Sequence, residues 1–195
     1  GMINSSFYQG DILTIYAILG FTLIPVAKLN TKTVLFIAVI LILQPYEWIK
    51  VLSAIIHPQQ AIPNPASWEY FGKMGEYIPK DSFIDTVVGN LTNGRPAVFN
   101  WSWENGRVFQ TLSLFMLGML AGRKGLFKES DSNIRFWKKA LVISLVAFIP
   151  LYQAKTNVGT WYTSEALIRP LGVILSSWAN LAFMIFLVSS FVLLY

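Results

Sequence analysis

Two side chains, Asp11 and His57, are the candidates for catalytic chemistry in this sequence. His57 is the only imidazole, and transfer of a group to a hydroxyl near neutral pH needs a base of this kind. Its neighbours Ile56 and Pro58 supply no orienting acid, which favours an ordinary loop histidine. Asp11 precedes an apolar run, where a carboxylate caps a helix or, alternatively, positions a substrate or a proton. Helix capping is the favoured interpretation of Asp11.

Other reaction chemistries find little support in the residue types present. The chain has no cysteine and one histidine, which argues against a protein-only zinc site and excludes a cysteine nucleophile. No phosphate-loop, dinucleotide-binding or metal-ligand motif occurs, so we predict no metal and no bound cofactor. The net charge is +5, but the basic residues are spread among apolar runs rather than along one face, so no nucleic-acid partner is predicted.

The composition indicates a protein whose main partner is the lipid bilayer. Hydrophobic residues make up 54% of the 195 residues, and charged residues only 13%. The charged share is well below the roughly 25% usual in soluble domains. A soluble domain of this size could not bury so much apolar surface in one core.

Five apolar segments predict an all-α fold, a polytopic transmembrane helix bundle that forms a single membrane domain over residues 1–195. The predicted spans lie near 12–27, 34–49, 108–122, 140–152 and 171–195. The last one has no charge and is long enough to cross a hydrocarbon core of about 30 Å. The other four are short for that purpose and need their flanking residues to extend them.

The distribution of lysine and arginine predicts the orientation of these spans. The connections 28–32 and 123–139 carry eight basic residues in 22 positions. The connections 50–107 and 153–170 carry seven in 76 positions. Because basic connections face the cytoplasm, the first pair is predicted to be cytoplasmic and the long 50–107 segment to be an extracytoplasmic loop region.

The 50–107 segment is predicted to contain short helices separated by loops. Ser67 is predicted to cap a helix that runs through about Tyr77, and residues 81–92 to form another. The sequence Asn-Gly-Arg-Pro at 93–96 is typical of a turn or loop.

Polar and small residues within the spans indicate contacts between helices. Gly118 and Gly122 form a GxxxG pair, which favours close packing of another helix; packing within the chain is favoured over dimerisation. Glu47 is expected to reach interfacial water or to pair with Lys50. The polar residues of the last span, Ser176, Ser177 and Asn180, are expected to form interhelical hydrogen bonds rather than to act in catalysis.

Two stretches resemble a known bacterial membrane family. Residues 10–20, GDILTIYAILG, resemble the "GDILTLYALLG" segment of the YeiB-like proteins, a family catalogued as a domain of unknown function. Residues 115–127, FMLGMLAGRKGLF, are similar to the family's "FLLGMLAGRRGLF" segment. The resemblance implies a multi-pass protein of the bacterial inner membrane, of which this chain is a middle fragment.

The same resemblance implies a function, because the family is grouped with transmembrane acyltransferases that act on hydroxyl acceptors. Acyl-CoA would then be a cofactor of the full-length parent, and the fragment alone is expected to be inactive. Its partners would be the missing N- and C-terminal membrane helices of that parent, and an oligomer is possible. Two other functions stay open: a small-solute transporter or channel-like protein, and a non-catalytic membrane partner.

Overall fold

The computed structural model describes residues 3–58 and 62–194, and within these ranges it contains helices and no strand. The all-α prediction is therefore confirmed for the described residues. A 3₁₀ turn at Ile78–Lys80 and a π-helix at Asn90–Gly94 lie among the α-helices. The α-helices are α1 (Asn4–Phe7), α2 (Leu13–Phe21), α3 (Leu23–Val26), α4 (Thr31–Ile42), α5 (Pro45–Ile56), α6 (Ala66–Tyr77), α7 (Phe83–Gly89), α8 (Arg95–Glu104), α9 (Arg107–Arg123), α10 (Asp131–Trp161) and α11 (Glu165–Leu194).

Two segments are long and apolar enough to cross a membrane. They are Thr31–Ile56, with 26 residues, and Glu165–Leu194, with 30 residues. The shorter apolar stretch Leu13–Val26 covers the first predicted span, and α9 and α10 cover the third and fourth. Length and composition thus suggest a membrane protein, while the number of five spans stays a prediction.

The chain folds into two compact units. Unit 1 comprises Gly1–Lys28 and Pro63–Thr111. Unit 2 comprises Leu29–Ile62 and Leu112–Tyr195. The predicted extracytoplasmic segment 50–107 therefore contributes to both units. Its first residues are not a loop, because α5 continues to Ile56 before the chain reaches the proline-rich stretch.

In unit 1, α6 and α8 enclose a small core of Met74, Tyr77 and Ala97. The helix predicted to end near Tyr77 is present, but Ser67 is not its cap. Ser67 is already inside α6, and its backbone N–H and its hydroxyl both donate to the carboxylate of Glu104, at 3.2 Å and 2.5 Å. Glu104, the last residue of α8, thus satisfies the start of α6 in place of a local cap.

The turn predicted at residues 93–96 is wrong, because the chain stays helical from α7 through the π-helix into α8. Pro96 lies in the first turn of α8, where its missing N–H is tolerated. Gly94 lies in a close approach rather than in a turn, since a Cβ there would lie 3.3 Å from the Gln9 backbone.

In unit 2, α10 and α11 form an antiparallel hairpin joined at residues 162–164. The rings of Phe148 and Phe183 meet across it with centroids 5.3 Å apart. Helix α5 packs on α11, and the Ser113 hydroxyl of α9 donates to the carbonyl of Ala38 in α4 at 2.8 Å. These contacts position the polar groups described next.

Candidate functional site

The apolar segment Thr31–Ile56 is broken near its middle. Helix α4 ends at Ile42, and Gln44 adopts a left-handed conformation with φ of 59° before Pro45 begins α5. Proline has no N–H to continue a helix, and it disfavours the α conformation in the residue before it. The break is therefore encoded locally by the Gln44-Pro45 pair, a signal that the uninterrupted span predicted over 34–49 overlooked.

The side chain of Gln44 lies at this break, fully buried, and reaches the second long apolar helix. Its Nε2 donates to the hydroxyl of Ser177 at 2.8 Å, and Ser177 is also buried. Ser177 lies near the middle of α11, so the bond joins the central parts of both candidate spans. The predicted interhelical role of Ser177 is confirmed.

A tryptophan next to Ser177 supports the broken end of α4. The indole Nε1 of Trp178 donates to the carbonyl of Ile42, the last residue of α4, at 2.9 Å. The Trp178 ring also packs against Trp48, with centroids 6.4 Å apart. A helix C-terminus leaves backbone carbonyls without intrahelical donors, and in apolar surroundings such groups need a partner.

A carboxylate lies one turn beyond the break. Glu47 is only 2% exposed and accepts a hydrogen bond from the Lys50 ammonium at 2.8 Å, which confirms the predicted pair. The same ammonium lies 4.4 Å from the centroid of the Tyr46 ring. Glu47 stands in the first turn of α5, where a negative charge is favoured by the helix dipole. The amide of Gln44, the hydroxyl of Ser177 and the Glu47–Lys50 ion pair therefore lie at or near the break.

Asp11 is held inside unit 1 by three donors. Its carboxylate accepts from Asn4 Nδ2 at 2.8 Å, from the Thr14 hydroxyl at 2.9 Å and from the Leu13 backbone N–H at 3.2 Å. Burial raises the pKa of this carboxyl, but the hydrogen bonds together outweigh burial and leave the pKa lowered. The carboxylate thus satisfies the Leu13 N–H at the start of α2, but the N-cap position itself is occupied by Ile12. A catalytic role for Asp11 stays a prediction.

His57 follows the last residue of α5 and is exposed. Its backbone N–H donates to the Ser53 carbonyl at 2.8 Å. Its imidazole forms no hydrogen bond or ion pair with residues 3–58 or 62–194. A role for His57 as a base likewise stays a prediction, and the structure provides it with no orienting carboxylate among the described residues.

The glycine pair of α9 lies on an open face. A Cβ added at Gly118 or at Gly122 would meet no described atom within 4 Å. The part of the chain that the structure describes therefore places no helix against these glycines. Close packing of another helix at this face stays a prediction.

The C-terminal part of the chain matches a known family. Residues 121–195 match the family model described as "Protein of unknown function (DUF418)". This part of the chain is similar to the DUF418 family. The match confirms the YeiB-like resemblance for this part of the chain. No curated protein and no solved structure matches the chain.

The region that matches the DUF418 model contributes Ser177 to the polar groups at the break. It contains α10 and α11, and hence Ser177 and Trp178. Gln44 and Glu47 lie outside it. The family description names no activity.

Proposed function

We propose that this chain is part of a multi-pass protein of the bacterial inner membrane that moves a small polar solute across the bilayer. The break at Gln44 would be the solute site. The supporting observation is the hydrogen bond between Gln44 and Ser177, which joins two apolar helices near their midpoints. Irregular backbone within a bilayer is tolerated where protein or a water-filled cavity satisfies it. Broken helices of this kind hold the substrate sites of many transporters, near the bilayer midplane.

The groups at the break suit a solute that both donates and accepts hydrogen bonds. Gln44 offers an amide, Ser177 a hydroxyl, and Glu47 a carboxylate that Lys50 neutralises. Ionisable residues inside apolar helices are costly to bury and therefore mark solute or proton pathways. Opening of the Gln44–Ser177 contact would expose these groups to a polar solute.

Acyl transfer, the function that the family grouping implies, has no comparable observation in its favour. It needs a base within about 3 Å of an acceptor hydroxyl and donors for the developing oxyanion. The exposed His57 and the three donors around Asp11 do not form such an arrangement in either unit. Acyl-CoA binding stays a prediction about a longer parent chain.

Cysteine labelling in vesicles tests the transport proposal. Because the chain contains no cysteine, a single introduced thiol reports on its own position. Ser177→Cys keeps the size of the side chain, and Ser176→Cys places the same thiol at the same depth on the neighbouring face of α11. We expect a charged, membrane-impermeant thiol reagent to modify Ser177→Cys faster than Ser176→Cys.

The comparison is informative because static exposure predicts the opposite order. Ser177 is buried and Ser176 is partly exposed. Faster labelling at 177 requires a polar pathway that opens towards the break, whereas position 176 would face lipid. Lys50→Cys, at a partly exposed position, is the positive control for the reagent. Labelling of Ser176→Cys alone would contradict a solute pathway at the break, and so would labelling of Lys50→Cys without labelling of either serine variant.

A further inference from the structure

Five exposed cationic side chains lie on the segment that joins α9 to α10 and on the first turns of α10. We call them the cationic surface: Lys124, Lys128, Arg135, Lys138 and Lys139. The only acids in this stretch are Glu129 and Asp131. None of the five cations forms an ion pair with a residue in the described ranges. The surface therefore carries uncompensated positive charge.

The segment is held in a defined conformation. Gly125 has a φ of 61° and ends the helical turn after α9. The Trp137 indole donates to the Leu126 carbonyl at 2.7 Å, and Asn133 Nδ2 donates to the carbonyls of Gly125 and Lys128 at 2.9 Å and 2.8 Å. These hydrogen bonds fix the conformation of the connection that carries the cations.

The second basic connection lies at the same end of unit 2. Arg123 donates to the carbonyl of Leu29 at 2.9 Å, which brings the start of the 123–139 segment next to the 28–32 connection. Lys32 in that connection is also exposed. The two stretches that the charge distribution predicts to be cytoplasmic therefore meet in the tertiary structure.

The exposed face of α10 changes its character within one turn. Lys138 and Lys139 are followed by Val142, Ile143 and Val146, which are 60%, 67% and 66% exposed. Lys139 and Val142 are separated by about 4.5 Å along the helix axis. Exposed apolar side chains directly beside lysines match the boundary between lipid headgroups and the hydrocarbon core.

We propose that the cationic surface binds the phosphate headgroups of anionic phospholipids. Lysine and arginine donate charge-assisted hydrogen bonds to phosphate oxygens, and the adjoining apolar face of α10 would contact the acyl chains of the same lipids. The inference rests on the membrane location proposed above, but not on the solute site at Gln44.

Lipid retention in mixed nanodiscs tests this inference. The full chain would be reconstituted in phosphatidylcholine with a minor share of phosphatidylglycerol, and the lipids it retains would be counted by native mass spectrometry. We expect several-fold enrichment of phosphatidylglycerol over its share in the mixture. The triple variant Lys124→Gln/Lys128→Gln/Lys138→Gln should lose that enrichment, because it removes three of the five cations.

A matched variant separates this surface from net charge. Lys73→Gln/Lys80→Gln/Lys155→Gln changes the total charge equally at positions outside the surface, and it should keep the enrichment. Equal loss in both variants, or no enrichment in the unsubstituted chain, would overturn the proposal. Binding of inorganic phosphate by a chain that shows no phosphatidylglycerol enrichment would mean a site for free phosphate and would overturn it too. The two proposals can fail separately. If phosphatidylglycerol is enriched but the thiol reagent does not modify Ser177→Cys, this inference holds and the transport proposal fails.

Discussion

Unit 1 is tied together by polar side chains that reach between short helices, whereas unit 2 packs long apolar helices and joins them with few polar contacts. In unit 1, Arg95 donates to the Ser5 hydroxyl at 2.7 Å, and Tyr77 donates to Asn90 at 2.9 Å. Its helices have at most 12 residues, a length at which an isolated helix is marginal in water. Polar cross-links therefore specify where each short helix lies.

Unit 2 uses polar groups differently. Its hairpin helices have 31 and 30 residues and pack against each other, with the centroids of the Phe148 and Phe183 rings 5.3 Å apart across the hairpin. A buried polar contact such as that of Gln44 with Ser177 then defines one position along two long helices. Polar contacts in unit 1 therefore fix the positions of short helices, whereas the buried Gln44–Ser177 contact in unit 2 joins two long helices at one position along their length.

Gly89→Ala should destabilise unit 1 by about 1 to 3 kcal/mol. The added Cβ would lie 2.5 Å from the Tyr77 ring, which is buried and fixed by its hydrogen bond to Asn90. The free energy of unfolding in detergent, from a denaturant titration, measures the effect. The control is Gly72→Ala in α6, where a Cβ meets nothing within 4 Å, so that the variant gains about 0.5 to 1 kcal/mol of helix stability. If both variants lost stability, a clash of the added Cβ with Tyr77 would not explain the effect of Gly89→Ala.

Asp11→Ala should cost about 1 to 2 kcal/mol of unfolding free energy, and Asp11→Asn less, because an amide oxygen still accepts from the Leu13 N–H. Since hydrogen bonds lower the pKa of this carboxyl below its ordinary 3.8, ionised Asp11 stabilises the fold above that pH. The contribution is lost as the pH falls through the lowered pKa of the folded state. The stability difference between unsubstituted chain and Asp11→Asn should therefore be constant from pH 5 to 7 and shrink below pH 4. A difference that grows on acidification would contradict the sign of the shift.

Gln44 and Ser177 should be coupled by about 1 kcal/mol in a double-mutant cycle of Gln44→Ala and Ser177→Ala. The bond is buried between two apolar helices, where either partner alone loses its contact. Unfolding free energies of the two single variants and the double variant give the coupling. A cycle with Ser176→Ala in place of Ser177→Ala is the control and should be additive. If the free-energy changes of Gln44→Ala and Ser177→Ala were additive, the hydrogen bond between the two side chains would not link the helices.

Gly118→Ala and Gly122→Ala should each leave the stability of this chain unchanged or raise it by about 0.5 to 1 kcal/mol. Both glycines meet open space, so alanine adds helix propensity without a clash. Thermal unfolding of the purified chain measures the effect. A clear loss for both variants would mean that another helix, from a second copy or a longer parent chain, covers this face as the GxxxG pattern predicts.

Several features could be predicted from the residues because their causes are local. The apolar runs predict helices that the structure contains, and the Glu47–Lys50 pair follows from their spacing on one helix face. The helix before Tyr77 was predicted correctly, but its cap was not, since the group that satisfies its start is Glu104, 37 residues away. The helical path through residues 93–96 was missed for a related reason. A Cβ at Gly94 would lie 3.3 Å from the Gln9 backbone, an approach that the residues around position 94 do not indicate.

The residues alone are sufficient to predict the all-α class and the apolar character of the long helices. The break at Gln44 is also encoded locally, by Pro45, although the span predicted over 34–49 overlooked it. Local rules are sufficient there, because they act within one or two helical turns. Only the tertiary structure decided which polar groups meet. Gln44 and Ser177 are 133 residues apart, and Arg95 and Ser5 are 90 apart. Their pairing depends on how whole helices pack, because a buried polar group requires a partner but its own neighbourhood in the chain does not say which one.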